Sequence, residues 1–238
     1  MLTAQNISFA ANRRTILKEI NFSAEPGRFT AIVGPNGSGK TTLLRALTGD
    51  IAYHGSVWLN KANIAKLKPW QLAKMRAVLP QSVSLSFPFK VTEVVRIGLQ
   101  AGRFGAHTSL VSKALAKVGM ANHADQFFHD LSGGEQQRVN LARVIAQVWT
   151  PFEQGVPRWL LLDEPVASLD IAYQLEVMRL AKDYAEAGGG VVAVMHDLNL
   201  TAMYADDMAI VCDGQIMAFG TPAEVMRDDI LSQAYKCD

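Results

Sequence analysis

The stretch GPNGSGKTT, Gly34 to Thr42, fits the pattern Gly-x-x-x-x-Gly-Lys-Ser/Thr through Thr41. Gly37 and Gly39 keep successive backbone N–H groups free to wrap phosphate oxygens, and Lys40 has the reach and charge to meet β- and γ-phosphates. Pro35, Asn36 and Ser38 fill the loop between them. The Thr41 hydroxyl is the expected ligand for Mg²⁺, with Thr42 beside it. A compact apolar run, Phe29 to Val33, leads into the loop, and a helical stretch from Leu43 to Leu47, ended by Gly49, follows it. Strand, glycine loop and helix in that order predict a nucleoside triphosphate site rather than a surface turn.

Two carboxylates, Asp163 and Glu164, close the apolar run Trp159 to Leu162. Ligands of a parallel sheet collect at the C-terminal ends of its strands. Asp163 is therefore expected near the metal of the phosphate loop and Glu164 near the γ-phosphate, where a carboxylate can orient or deprotonate an attacking water. A third segment, LSGGE from Leu131 to Glu135, opens a helix. Ser132 and Glu135 have the spacing of a capping box. Two adjacent glycines, Gly133 and Gly134, cost entropy that capping does not explain. A backbone kept bare at a helix N-terminus suits the approach of an anion.

These segments need a scaffold. Loose alternation over the first thirty residues predicts short strands with turns near Asn12-Arg13 and Pro26-Gly27. Helical signals fill Val91 to Leu99, Leu110 to Val118 and Gln136 to Val148. Residues 149–158 read as a Pro/Gly-containing loop. Strand patterns return at Trp159 to Leu162, Val191 to Met195 and Met208 to Val211, with a helix from Gln174 to Ala187 and a hairpin turn at Asp213-Gly214. The pattern is that of an α/β core with helices inserted in its middle.

Composition limits the function. The 238 residues are 49% hydrophobic and 19% charged, with a net charge of +1. A globular domain fits; a nucleic-acid or acidic-surface binder gets no support from that balance. Cys212 and Cys237 are too few for a disulfide framework and fit reduced thiols in a cytosolic protein. No apolar run approaches the ~20 residues that span a bilayer, and no signal peptide is apparent. Work at a membrane would need another polypeptide to supply the span.

Six motifs occur in a fixed order: GPNGSGKTT, Gln81 in AVLPQ, LSGGE, LLLDEP, SLD and His196 in VMHD. Together they resemble the nucleotide-binding subunit of an ATP-binding cassette (ABC) transporter over all but the last dozen or so residues. The resemblance implies a P-loop NTPase (RecA-like) core with an N-terminal antiparallel β subdomain and a helical subdomain at about 82–148. It implies two copies associated head to tail, so that Ser132, Gly133, Gly134 and Glu135 contact a nucleotide held by the partner's loop. It gives Gln81 a role toward Mg²⁺ and water, His196 a contact to the γ-phosphate that positions Glu164, and Asp170 contacts across the dimer. By residue type alone, His196 reads as structural and Asp170 as a helix cap. Adenine stacking by an aromatic falls near Ala11, where the nearest aromatic is Phe9, a candidate for the core as well.

Among such ATPases, LPQSVSLSFPFKVTEVVRIG and DEPVASLDIAYQ most resemble those of bacterial haem importers, with iron-siderophore and vitamin B12 importers close by. That implies two transmembrane permease subunits as partners, an indirect link to a periplasmic haem-binding protein, no nucleic acid, and a peripheral place on the cytoplasmic face of the inner membrane. Haem would not touch this chain: no Cys-x-x-Cys-His is present, and His54, His107, His123 and His129 read as solvated. A soluble regulatory or nucleic-acid-remodelling ATPase is the rival from another class. It would favour fused cassettes or long coiled coils, which this chain lacks.

Overall fold

The computed structural model describes residues 1–12, 14–82, 87–167 and 169–236. Arg13, Ser168 and Cys237, each used in the reading above, lie outside the described residues, as do 83–86.

The chain opens with a pair of long antiparallel strands, β1 (Leu2–Ala11) and β2 (Arg14–Ala24). They are ten and eleven residues long rather than short, because bulges absorb the breaks in their alternation. Asn6 and Glu19 sit at positive φ, and the Asn21 side chain bonds the backbone N–H of Asn6 at 3.0 Å. β3 (Phe29–Val33) is fully buried and feeds the phosphate loop and α1 (Lys40–Thr48). The helix starts at the lysine itself and stops at Gly49, whose φ of 76° ends it in a left-handed cap.

β4 (His54–Leu59) and β5 (Ala62–Asn63) complete a four-stranded antiparallel sheet in the order β2-β1-β4-β5. A short α2 (Pro69–Ala73) leads to β6 (Arg76–Leu79). Three helices follow: α3 (Val91–Ala101), α4 (Ser109–Lys117) and α5 (Gly133–Gln147). Residues 149–158 are not an irregular loop: they fold into a small hairpin, β7 (Phe152–Glu153) and β8 (Val156–Pro157). Beneath it the Arg158 guanidinium is 3% exposed, pairs with Glu153 and donates to the Thr150 carbonyl at 2.6 Å. A buried cation requires such partners.

The rest alternates strands and helices: β9 (Trp159–Asp163), α6 (Ile171–Glu186), β10 (Gly190–Val194), α7 (Leu198–Tyr204) and β11 (Asp207–Cys212). β12 (Gln215–Gly220) returns antiparallel after an Asp213-Gly214 turn with φ of 48° and 80°, and α8 (Pro222–Val225) and α9 (Asp228–Tyr235) end the described chain. The main sheet runs β12-β11-β3-β10-β9-β6, parallel except at β12. Side chains alternate across it. Leu160, Leu162, Val191 and Ala193 pack with the helices, while Trp159, Leu161, Val192 and Val194 pack with α1 and the antiparallel sheet. A parallel sheet covered on both faces needs mostly apolar residues, which the runs in β3, β9 and β10 provide apart from Thr30 and Asp163.

Where α3 crosses α5 the backbones nearly touch. A Cβ at Gly98 would lie 2.0 Å from the Arg143 carbonyl oxygen. Gly98→Ala should therefore lower unfolding stability by about 1–3 kcal/mol, the usual cost of forcing a methyl into a closed contact. Urea denaturation of the variant beside the parent chain measures it.

Candidate functional site

Four adjacent parallel strands, in the order β3-β10-β9-β6, end on one edge of the main sheet. The phosphate loop follows β3, His196 follows β10, Asp163 and Glu164 finish and follow β9, and Gln81 follows β6. Sheet order thus brings together four segments that are up to 162 residues apart in the chain, from Gly34 to His196. A cleft of about 970 Å³ opens at this edge. Asn36, Gly37, Gly39, Lys40, Thr41, Thr42, Gln81, Glu164 and His196 all line it. Gly34, Pro35 and Ser38 stand behind the lining and shape the loop.

The loop has the chemistry of an anion cradle. Gly37 has a φ of 75° with nothing within 4 Å of where a Cβ would be, so its conformation, not crowding, is what asks for glycine. The Lys40 ammonium donates to the carbonyls of Gly34 at 2.9 Å and Pro35 at 3.0 Å. Burial pulls its pKa down, with Glu164 and Asp163 acting the other way. A cation held in a partly buried cleft favours the approach of an anion. Ser38 Oγ is buried without a hydrogen-bond partner among the described residues. These features fit a polyphosphate.

Thr41 Oγ1 donates to Asp163 Oδ1 at 3.1 Å. Burial raises the Asp163 carboxyl above the usual range, while the Thr41 bond opposes that shift. A hydroxyl beside a carboxylate is a hard oxygen donor set, as Mg²⁺ prefers. Among the described residues no group of three or more His, Cys, Asp or Glu side chains is arranged to hold a metal by itself. A magnesium ion sharing its shell with phosphates and water fits that small donor set.

Glu164 is the hub. Its Oε2 accepts from Gln81 Nε2 at 2.9 Å, and its Oε1 lies 2.6 Å from His196 Nε2. Its backbone is left-handed, with φ of 50°, an uncommon state for a residue with a side chain and one that costs about 1–3 kcal/mol. The Glu164 N–H bonded to the Val194 carbonyl at 3.1 Å ties that strained residue to the neighbouring strand.

The LSGGE segment stands apart. The capping box forms as the spacing predicts: Glu135 Oε2 accepts from the Ser132 N–H at 2.8 Å and its hydroxyl at 2.7 Å. Those bonds hold the Glu135 carboxyl below its usual range. None of Ser132, Gly133, Gly134 or Glu135 lines the cleft. Gly133 is exposed, lacks a positive φ, and a Cβ there would meet nothing within 4 Å. Nothing among the described residues explains that glycine. Asp170 caps α6 by accepting from the Tyr173 N–H at 3.0 Å, and it too lies off the cleft.

Residues 17–167 match the sequence pattern of the ABC transporter family. Over 236 residues the chain is 61% identical to the Hemin import ATP-binding protein HmuV of Roseobacter denitrificans, covering 99% of this chain and 90% of the relative. The chain belongs to the ABC transporter family. The hemin import ATP-binding protein of a Jannaschia species is 57% identical over 237 residues, covering 100% of this chain and 88% of that protein. In fold, a solved ATP-binding subunit of an ABC transporter superposes with a TM-score of 0.85 at 20% identity, covering 99% of this chain and 98% of the other. Membership in this family supports ATP as the nucleotide this chain binds.

Part of the cleft went unread in the sequence. Arg14, Thr15, Ile16 and Lys18 of β2 form its far wall, and the Asp213-Gly214 turn, read only as a hairpin, is in its lining. The Gly214 N–H bonds the Ser38 carbonyl at 3.0 Å, so that hairpin braces the phosphate loop. No local pattern marked this wall: a register shift at Ile16 interrupts the alternation of β2, and Thr15 lines the cleft with its neighbours Arg14 and Ile16. Phe9 is half-buried, packs against the core beneath the antiparallel sheet and does not line the cleft. Of the four other histidines, His54, His107 and His129 are exposed, whereas His123 is half-buried and 3.5 Å from Glu135.

Asp163 carries a testable pH signature. A carboxyl whose folded pKa is raised takes up extra protons in the native state, so stability falls as pH rises from the ordinary aspartate value through the raised one. The penalty persists above that window and vanishes below it. Asp163→Asn should be more stable than the parent chain at neutral pH without metal, with the two converging in acid. Denaturation midpoints across pH report the difference.

Proposed function

We propose that this chain is the ATP-hydrolysing subunit of a bacterial ABC importer for haem, driving transport through separate permease subunits. The observation that carries the hydrolytic part is the convergence of Gln81 and His196 on Glu164 beside Lys40. The haem part rests on whole-length similarity to hemin import ATP-binding proteins.

In this reading Gly34, Pro35, Asn36, Gly37, Ser38, Gly39, Lys40, Thr41 and Thr42 hold the triphosphate by backbone N–H groups, hydroxyls and the lysine charge. Thr41, Asp163 and Gln81 hold Mg²⁺, which when bound neutralises charge on the phosphates. Glu164 orients water and takes its proton as the water oxygen bonds the γ-phosphorus; the bond from that phosphorus to the bridging oxygen breaks and ADP leaves. His196 and Gln81 aim the carboxylate, so little reorganisation is needed at the moment of reaction.

The pocket is completed by a second copy. Ser132, Gly133, Gly134, Glu135 and Asp170 lie off the chain's own cleft and meet the nucleotide of the partner, with the N-terminus of α5 supplying N–H groups and a partial positive charge. Residues 82–148 act as the inserted helical unit that carries this end. No described helix is long and apolar enough to cross a membrane, which supports a peripheral place on permeases at the cytoplasmic face of the inner membrane. A periplasmic haem-binding protein is an indirect partner, delivering cargo to the permeases.

Two variants test the scheme. Glu164→Gln should keep ATP binding and lose at least ~100-fold of turnover, the low end of what a general base contributes; near-parent hydrolysis removes Glu164 from its role. Ser132→Arg should leave ATP binding to the single chain intact and abolish hydrolysis, and normal turnover by this variant ends the shared-pocket reading.

A further inference from the structure

The main sheet has a second edge. The nucleotide cleft lies at the C-terminal ends of the parallel strands, whereas Met75 and Arg158 stand immediately before β6 and β9, at the opposite ends. The five residues of β9, at ~3.3 Å each, put about 16 Å between the two edges. A cavity of about 180 Å³ opens at this far edge, lined by Lys74, Met75, Arg103, Val156 and Arg158. That is below the ~300 Å³ at which pockets for drug-sized molecules begin.

Three of the five lining residues are cations and none is an acid. They come from separate places: Lys74 from the end of α2, Arg103 from the turn after α3, and Arg158 from the base of the β7–β8 hairpin. Glu153, outside the lining, pairs with Arg158 and lies 3.4 Å from Arg103. One carboxylate against three cations leaves an excess of two positive charges. Lys74 has no ion pair among the described residues, and its ammonium sits 4.9 Å from the centre of the Trp70 ring. Arg158 is buried, and a guanidinium carries more donors than its bonds to Thr150 and Glu153 use. Like charges gathered around a cavity repel unless an anion joins them.

We propose that this cavity is a binding site for a phosphate-sized oxyanion, with exposed Arg103 and Lys74 at its mouth and buried Arg158 at its base. Guanidinium forks match the oxygens of a phosphate group, and the lysine adds a point charge. A doubly charged ion balances the excess. A free phosphate ion and the phosphate of a lipid head group present the same chemistry to these three side chains.

The test is nuclear magnetic resonance of the full chain labelled with ¹⁵N at the arginine Nε atoms, each resonance assigned by substitution. Inorganic phosphate should give saturable shifts at Arg103 and Arg158, which sodium chloride of equal ionic strength does not reproduce. Lys74→Gln and Arg103→Gln change exposed side chains and leave the buried Arg158 as reporter. Each should weaken phosphate about two- to fivefold, the range of an exposed charge contact. The site is overturned if neither arginine responds, if chloride acts alike, or if both variants bind phosphate like the parent. A response confined to Arg14, which lines the nucleotide cleft, overturns it as well. Sedimentation with phosphatidylcholine vesicles, with and without phosphatidylglycerol, separates the two sources. Phosphatidylglycerol-dependent sedimentation that Lys74→Gln weakens assigns the site to lipid phosphate, and its absence beside a normal phosphate response assigns it to the free ion.

Discussion

A carboxylate kept in a left-handed backbone conformation, between a glutamine and a histidine, is stable only where its neighbours cannot move apart. In this chain the neighbours are strands. β6, β9 and β10 lie side by side, and each delivers one member of the Gln81–Glu164–His196 trio from its C-terminal end. The Glu164 N–H bonded to the end of β10 closes the gap that the strained φ would otherwise open. Remove the lateral order of the sheet and the trio disperses, because the sequence separates its members by tens of residues. The cost of the strain is repaid by a side chain aimed without a search.

Charge follows the same logic. Lys40, Asp163 and Thr41 are drawn out of water at the sheet edge, and burial shifts Lys40 and Asp163 each away from its charged form. Such groups destabilise the fold in isolation, a familiar trade between stability and activity. The hydrophobic layers on either face of the sheet offset that cost.

Much of this was legible in the residues. The phosphate loop, the acid pair and the capped helix were written in local spacing, and the buried runs of β3, β9 and β10 marked a parallel sheet. The edges were less readable. β6 is four residues, Arg76 to Leu79, too short for alternation to register, yet it delivers Gln81. The hairpin within 149–158 is held by Arg158 through Glu153 and Thr150, contacts five and eight residues back that follow no helix or strand period. Bulges in β1 and β2 blurred a pattern that proved to be two long strands, and Phe9 could be assigned to the core only once its packing was known. The far wall of the cleft, Arg14 to Lys18, was invisible because recognition there depends on which face of a strand looks at a loop twenty residues later.

One helix reaches from the LSGGE segment to the main sheet. α5 begins at the exposed Gly133 and ends at Gln147, whose side-chain amide donates to the carbonyls of Ala73 at 2.8 Å and Arg76 at 2.9 Å, at the foot of the strand that leads to Gln81. Where it crosses α3 at Gly98 the two backbones are in contact, with no room for a methyl group. Fifteen helical residues make a rod of about 22 Å. Its outer tip and the base of the strand that leads to Gln81 are thus the two ends of one continuous helix.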